Sequence, residues 1–171
     1  MLDRIKAYPV GVEDDFRAAM RQLASGVSVV TAGTREDRSG FTATSVVSLS
    51  VDPPRLLVSV NSGSSTWPLI ARHGGFTVNL LAADQVHIAE VFAGRSGLRG
   101  KERFTEGRWQ RHPVAGYGLE GALAVVHCRV EETIERHGHN LVIGCVLDSV
   151  AAPAQPLLYW NRSYPILPEQ G

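Results

Sequence analysis

Short hydrophobic runs alternate with turn-forming and polar residues along most of the chain. Five runs rich in β-branched residues predict strands: GVSVVTAG, GGFTVNLL, EGALAVVHCRVEETIER, HNLVIGCVLDSVA and a terminal PLLYW. Three segments have helical spacing instead: one from Asp14 with Phe16, Met20 and Leu23 on one face, WPLIARHG, and DQVHIAEVFAG with Asp84 as its cap. Many strands with few helices favour an antiparallel, mainly β barrel with flanking helices over a doubly wound sheet.

Residues 40–66 combine strand periodicity with an unusual number of hydroxyl side chains. They predict two buried strands joined by a Pro-Pro turn, with Thr42, Thr44, Ser48 and Ser50 at the two-residue spacing of one strand face. The second strand runs into a Ser- and Gly-rich stretch, residues 61–66, just before a predicted helix. A small polar wall beside such a stretch suits a flat ligand that carries a phosphate, which indicates a flavin nucleotide.

Composition and charge limit the classes of protein to which this chain can belong. The 171 residues predict one domain, 1–171, and a net charge of zero gives no field for nucleic acid or an anionic membrane. The chain shows no signal-peptide pattern and no apolar run of membrane-spanning length. Cys128 and Cys145 lie in predicted strands without metal-ligand spacing, which is typical of reduced thiols in a cytoplasmic protein. No Rossmann or P-loop motif is present, and residues 95–115 predict a long loop.

Several segments, taken in order, resemble the short-chain flavin reductase family. They are ASGVSVVTA, GFTATSVVSLSVDPP, LLVSVNSGSST, FTVNLL, KERF, HGHNLVIGCV and PLLYWNRSY. The resemblance implies a split β-barrel of the FMN-binding, Greek-key type, assembled as a homodimer. It also implies an NAD(P)H:flavin oxidoreductase that reduces FMN or FAD with NADH or NADPH. The reduced flavin would then diffuse to a partner flavin-dependent monooxygenase.

The same resemblance implies roles for individual residues. The isoalloxazine ring would contact Thr42, Ala43, Thr44 and Ser45, with Ser48, Ser59, Val60 and Asn61 lining the same pocket. The phosphate end would be held by Ser64, Ser65, Thr66 and Arg103, with Phe104 as an apolar flank. His139 would border the nicotinamide as the catalytic-site histidine, and Arg162 would contact the dinucleotide.

One motif departs from the family pattern. The family has Gly-Asp-His before a late strand, whereas this chain has His137, Gly138 and His139, so the histidine is kept and the acidic residue is lost. The role of the missing Asp, including any effect on nicotinamide preference, is therefore open.

Simpler interpretations stand beside these assignments. The hydroxyls of residues 42–48 fit ordinary strand positions, Ser64, Ser65 and Thr66 fit a plain helix cap, and His139 fits a strand histidine bonded to a carbonyl. A three-histidine metal site of His127, His137 and His139 lacks a supporting carboxylate, so no metal is expected. Two other functions remain: a non-catalytic flavin- or haem-binding barrel, and an FMN oxidase resembling pyridoxamine-phosphate oxidase.

Overall fold

The computed structural model describes residues 11–168. Three α-helices, α1 to α3, span Val12–Met20, Trp67–His73 and Val86–Phe92, and a 3₁₀ helix spans Gly100–Thr105. Eleven strands, β1 to β11, span Ser25–Gly26, Ser28–Gly33, Arg38–Ala43, Val46–Val51, Pro54–Asn61, Gly75–Leu80, Trp109–Arg111, Tyr117–Leu119, Ala124–Arg136, His139–Ala151 and Leu158–Tyr159. The described part of the chain is therefore mainly β, as the hydrophobic pattern predicts.

Seven of the strands form one antiparallel sheet in the order β3-β2-β6-β9-β10-β5-β4, and β1-β11 and β7-β8 form two small ladders. The two edge strands of the large sheet, β3 and β4, follow each other in the chain with only residues 44–45 between them. The end of β3 and the start of β4 are therefore close together at this corner.

The large sheet is covered by two hydrophobic clusters that share strand β2. One cluster packs β2, β5, β6 and β10 around Phe76 and against Ile70 of α2. The other packs β2 against α3, the 3₁₀ helix and β8 around Phe92 and Phe104. Every residue of β2 is buried because its alternate side chains serve the two clusters. The polar loops that follow β5 and β9 are left at the rim of this framework.

The prediction of one continuous strand carrying Thr42, Thr44, Ser48 and Ser50 is wrong. Thr42 lies in β3, which pairs with β2, whereas Ser48 and Ser50 lie in β4, which pairs with β5. The chain changes partner at residues 44–45 without a Gly or Pro to mark the corner. Strand β4 is also largely exposed rather than buried, because it is an edge strand.

Helix α1 forms as predicted; its apolar residues Phe16 and Met20 are exposed, and the helix buries no side chain. Two smaller expectations need correction. Asp84 does not cap α3; the N-cap is Gln85, whose side chain accepts a hydrogen bond from the Ala82 amide at 3.0 Å. Residues 95–115 contain the 3₁₀ helix and β7 rather than a featureless loop.

Residues 11–168 contain no helix with the length and apolarity that a bilayer span requires.

Candidate functional site

The segment between β5 and α2, residues 61–66, is called the serine loop below, and its own side chains shape it. The Asn61 side chain accepts a hydrogen bond from the Gly63 amide at 2.7 Å, and the Asn61 carbonyl accepts one from Ser64 at 2.9 Å. The Ser64 hydroxyl accepts a bond from the Thr66 amide at 3.2 Å. Asn and Ser form such local bonds readily, so the loop has a defined conformation without a ligand.

Strand β3 holds the far end of the serine loop through a buried serine. Ser39 is 2% exposed, and its hydroxyl lies 2.9 Å from that of Ser65 and 3.1 Å from that of Thr66. Thr66 precedes α2, but its side chain makes no capping bond. Thr66 is therefore the N-cap residue by position, while its hydroxyl donates across the loop to Ser39. Ser39 was missed, because a single Ser beside a hairpin loop is a weak sequence signal.

The β9–β10 hairpin brings His139 to the same place. His137 and Gly138 form its two-residue turn with φ of 49° and 77°, and both values require the left-handed conformation that suits Gly. His139 pairs with Asn61 of β5. The Ser62 amide donates to the Gly138 carbonyl, and the Asn140 side chain donates to the Ser62 hydroxyl, both at 2.9 Å.

The His139 side chain faces solvent beside the loop. Its Nδ1 lies 3.4 Å from the His137 carbonyl oxygen, at the long limit of a hydrogen bond. A strand histidine held firmly by a carbonyl would show a shorter contact. The imidazole is therefore positioned by the hairpin and is free to contact a ligand above the serine loop.

Only some of residues 42–45 have side chains that are exposed to a ligand. The Thr42 hydroxyl donates to the Ala89 carbonyl of α3 at 2.6 Å, and the Ala43 side chain is 5% exposed within the core. The Ser45 hydroxyl donates to the Ser59 carbonyl at 3.2 Å, and the Ser59 amide donates back to the Ser45 carbonyl at 3.3 Å. Only residues 44 and 45 therefore offer exposed side chains. Buried Ala43, and likewise Val60 of β5, can contribute only backbone groups.

A cavity of about 590 Å³ lies against the large sheet and not over the serine loop. Its floor is apolar and its hydroxyl groups come from Ser25, Ser28, Thr44, Ser48, Ser50 and Ser149. The predicted residues therefore divide between two places. Thr44 and Ser48 line this cavity, whereas the Ser45–Ser59 pair, the serine loop and His139 lie together at the ends of β5 and β10. The second group alone combines hydrogen-bond donors with a histidine, so it is the better candidate site.

Arg103 is used mainly to hold backbone segments together. Its Nε donates to the Leu98 carbonyl at 3.0 Å, and its Nη1 donates to the carbonyls of Gly40 at 2.8 Å and Phe92 at 3.4 Å. Burial, and then the charge of Arg99, lowers the pKa of the Arg103 guanidinium. Only Nη2 lacks a protein acceptor within residues 11–168. The expected phosphate cation thus has one nitrogen left for a ligand.

Phe104 is 6% exposed and packs edge-on against Phe92 and Tyr117, each with ring centroids 5.2 Å apart. This aromatic cluster supports the 3₁₀ helix that carries Arg103. Phe104 is therefore a core residue, and its predicted role as an apolar flank for the ligand would require this cluster to open.

Arg162 lies apart from the serine loop. It lines a groove with Arg17, Arg21 and Tyr159, next to the end of α1. The C-terminal segment is fixed to α3 by the Tyr164 hydroxyl, which donates to Glu90 at 2.5 Å. Burial, with this hydrogen bond second, raises the pKa of Tyr164 to about 12. Within this chain, Arg162 is not brought to the candidate site.

The three-histidine metal alternative does not fit the strand register. His127 pairs with Asp148, whereas His139 pairs with Arg136, nine residues further along β9 and so about 30 Å away. His127 instead stacks on His112 with ring centroids 4.4 Å apart. Within residues 11–168, no three His, Cys, Asp or Glu residues are arranged to hold a metal ion.

The chain is similar over most of its length to proteins of known activity. Residues 20–168 match the family model described as flavin reductase like domain. The chain is 40% identical over 155 residues to the FMN reductase (NADH) RutF 2 of Methylorubrum extorquens (strain PA1), covering 90% of this chain and 88% of that protein. It is 36% identical over 159 residues to the reductase component of the FADH(2)-dependent resorcinol hydroxylase of Rhizobium sp. (strain MTP-10005), covering 91% and 88%.

A solved structure has the same fold. BorF, the flavin reductase component of a bacterial two-component tryptophan halogenase, superposes with a TM-score of 0.83 at 30% identity. The match covers 92% of this chain and 99% of that one.

Proposed function

Since this chain belongs to the flavin reductase-like family, we propose that it transfers a hydride from NADH to FMN and releases the reduced flavin. One structural observation carries the proposal: the serine loop, the Ser45–Ser59 pair and His139 meet at one rim of the sheet. This rim offers hydroxyls, amide groups and an imidazole to a ligand that has a hydrogen-bonding ring and a phosphate.

Hydride transfer from nicotinamide to flavin requires the protein mainly to position the two rings. The nicotinamide and the flavin supply the hydride donor and acceptor, and the residues need only hold the two rings in contact. In our proposal Ser45 and Ser59 border the ring, and Ser64 and Ser65 bind the phosphate end with the free nitrogen of Arg103. His139 orients the nicotinamide. No residue must act as a general acid or base, which agrees with a rim that has hydrogen-bond donors and, within residues 11–168, no carboxylate bonded to His139.

The choice of flavin and donor follows the relatives. Two relatives, at 35% and 40% identity, are named FMN reductase (NADH), so we propose FMN over FAD and NADH over NADPH. The resorcinol hydroxylase relative is named as a reductase component, and BorF serves a halogenase. We accordingly propose that the reduced flavin diffuses to a separate flavin-dependent monooxygenase. A flavin held by few charged groups can leave readily, as this delivery requires.

We propose that the large sheet is a split barrel with Greek-key connections and that the chain forms one domain. Support comes from the direct connection of edge strands β3 and β4 across residues 44–45. The two described cysteines are free thiols, in keeping with the cytoplasmic location that we propose.

A homodimer is also part of the proposal. Helix α1 carries Val12, Phe16 and Met20 on one exposed face, and Leu23 follows just beyond its end. An amphipathic helix that buries nothing in its own chain is well suited to cover a second copy. Sedimentation equilibrium should give twice the chain mass of 18.5 kDa; a monomer at micromolar concentration would refute the dimer.

The activity is tested by mixing the purified protein with NADH and FMN and following the loss of the nicotinamide absorbance band. We expect turnover with FMN and NADH to exceed turnover with FAD or NADPH. No catalysed loss of the band with any of the four pairs would support the non-catalytic binding protein instead. A yellow protein that keeps FMN through desalting and consumes oxygen only with an added organic substrate would support the oxidase.

His139→Ala is expected to raise the KM for NADH about fivefold and to leave the Kd for FMN unchanged. The exposed imidazole lies beside the proposed flavin site, and a hydrogen bond to a bound ligand is worth roughly 1 kcal/mol. His137→Ala, on the same hairpin turn, is the matched control and should have the wild-type KM. Equal values of KM in the His139 variant and the wild type would remove the proposed role.

A further inference from the structure

Three hydroxyls form a chain from the protein interior to the serine loop. The Thr66 hydroxyl donates to Ser39 Oγ at 3.1 Å, and Ser39 Oγ lies 2.9 Å from Ser65 Oγ. Thr66 is fully buried and Ser39 is 2% exposed, whereas Ser65 is exposed. The chain therefore begins in the core and ends at the surface of the candidate site.

Burial fixes the direction of this chain. The Ser39 oxygen already accepts the Thr66 proton, so the Ser39 proton needs an acceptor of its own, and Ser65 Oγ is within reach. If Ser65 donated instead, Ser39 would receive two protons and its own would have no partner in a buried place, which is unfavourable. The satisfied order is Thr66 to Ser39 to Ser65. Each donated proton also polarises the next hydroxyl.

This order leaves the Ser65 proton facing outward. The Ser65 amide also donates to no acceptor within residues 11–168, since the neighbouring amides of Ser64 and Thr66 take the acceptors of the loop. Ser65 thus offers two hydrogen-bond donors on the exposed side. A ligand rich in acceptor oxygens, such as a phosphate monoester, complements this pair.

We propose that Ser39 is a positioning residue of the flavin site: through its buried hydroxyl it orients Ser65 as a donor to the phosphate of FMN. Ser39 does not itself touch the ligand. The inference rests on the proposed function, because it assumes that FMN is the ligand of the serine loop.

The test compares the affinity for FMN with that for riboflavin, which lacks the phosphate, by quenching of flavin fluorescence. Ser39→Ala is expected to raise the Kd for FMN about fivefold and to leave the Kd for riboflavin unchanged. Ser65→Ala should have the same selective effect, and the double variant should lose no more than Ser65→Ala alone.

Thr77→Val is the matched control. Thr77 is a fully buried strand threonine whose hydroxyl is bonded to Gly116 and His127, away from the serine loop. Removing the Thr77 hydroxyl should lower the stability of the protein and leave the ratio of FMN to riboflavin affinity at the wild-type value. A general loss of packing would therefore not imitate the expected result.

The outcomes separate this inference from the proposed function. A wild type that binds no flavin would end both. If the wild type binds FMN, two results would overturn the Ser39 proposal alone. One is a Ser39→Ala variant with the wild-type ratio of FMN to riboflavin affinity. The other is a double variant whose loss of FMN affinity equals the sum of the Ser39→Ala and Ser65→Ala losses. If Ser39→Ala does not fold, Thr66→Val breaks the first link instead. It should weaken FMN selectively by a smaller factor, and an unchanged ratio there would also overturn the proposal.

Discussion

Replacing Asn79 with leucine is expected to lower the free energy of unfolding by about 3 kcal/mol. Asn79 is fully buried on β6. Its amide group donates to the carbonyls of Val29 and Tyr117, each at 3.0 Å, and its oxygen accepts the Leu119 amide at 2.7 Å. Leucine fills a similar volume but leaves these backbone groups without their partner. The largest cost should come from the Leu119 amide, which is buried with β8.

Urea unfolding of the variant and the wild type measures this difference. Asn140→Leu is the matched control, because Asn140 is also buried but its side chain makes one bond, to Ser62. We expect the control to lose about 1 kcal/mol. A loss below 1 kcal/mol for Asn79→Leu would mean that β8 is not held to the large sheet through this side chain.

Much of the fold is predictable because local pattern and tertiary position agree. The runs that became β2, β6, β9 and β10 contain many β-branched residues, and β2 and β6 are almost wholly buried. Strands β9 and β10 are buried or half-buried at residues 124–128 and 140–146. The corner at residues 44–45 has no such local signal, because Thr and Ser suit a continuing strand as well as a break. The exposure of β4 depends on which strand ends the sheet, and that is a property of the whole topology.

The candidate site was predictable in part, through the family resemblance that the family match now confirms. The resemblance indicated Ser45, Ser59, the serine loop and His139, which the structure brings together. It gave no indication of Ser39, whose partner Ser65 lies 26 residues away across two strands. Spacing along the chain cannot report such a contact. The resemblance also could not show that Arg103 donates most of its hydrogen bonds to backbone carbonyls.

A second group of buried polar side chains lies next to Asn79 and ends in a histidine. The Thr31 hydroxyl donates to the Tyr117 carbonyl at 2.7 Å and accepts from the Tyr117 amide at 2.8 Å. The Thr77 hydroxyl accepts from the Gly116 amide at 2.9 Å. Its own proton is buried and needs an acceptor, and His127 Nδ1 lies 2.8 Å away. These bonds make β8 and the turn before it depend on an unprotonated Nδ1.

The stacked His112 is fixed in the same form. Its Nδ1 accepts the amides of Val114 and Ala115 at 3.2 and 3.0 Å, and its Nε2 lies 3.1 Å from Asp148. His127 Nε2 lies 3.9 Å from the other oxygen of Asp148. A metal bound at either Nε2 would require a proton on Nδ1, where the backbone and Thr77 already donate. The Nδ1 atoms of both histidines are therefore already used as hydrogen-bond acceptors.

Stability is accordingly expected to fall as the pH falls below about 6.5, the ordinary pKa of histidine. Burial, and then His112, lowers the pKa of His127, while Asp148 of β10 opposes part of this effect. Cys128, the next residue on β9, is a neutral thiol because burial raises its pKa to about 12. Below pH 6.5, His127 binds a proton in the unfolded chain but not in the folded protein. Its contribution to the free energy of unfolding is therefore complete above pH 6.5, and it decreases as the pH falls from 6.5 to the lowered pKa of folded His127. One such group gives a slope of at most about 1.4 kcal/mol per pH unit.

His127→Asn isolates this contribution from the other titrating groups. Asparagine keeps an acceptor for the Thr77 hydroxyl and cannot be protonated, so the variant should lose less stability than the wild type between pH 7 and pH 5 in urea unfolding. Asp148→Asn should act in the opposite sense, because loss of the carboxylate lowers the pKa of His127 further and extends the destabilising range to lower pH. Identical pH slopes for the wild type and His127→Asn would mean that His127 is protonated in the folded protein. The hydrogen bonds that the Thr77 hydroxyl shares with His127 and accepts from the Gly116 amide would then be differently arranged in solution.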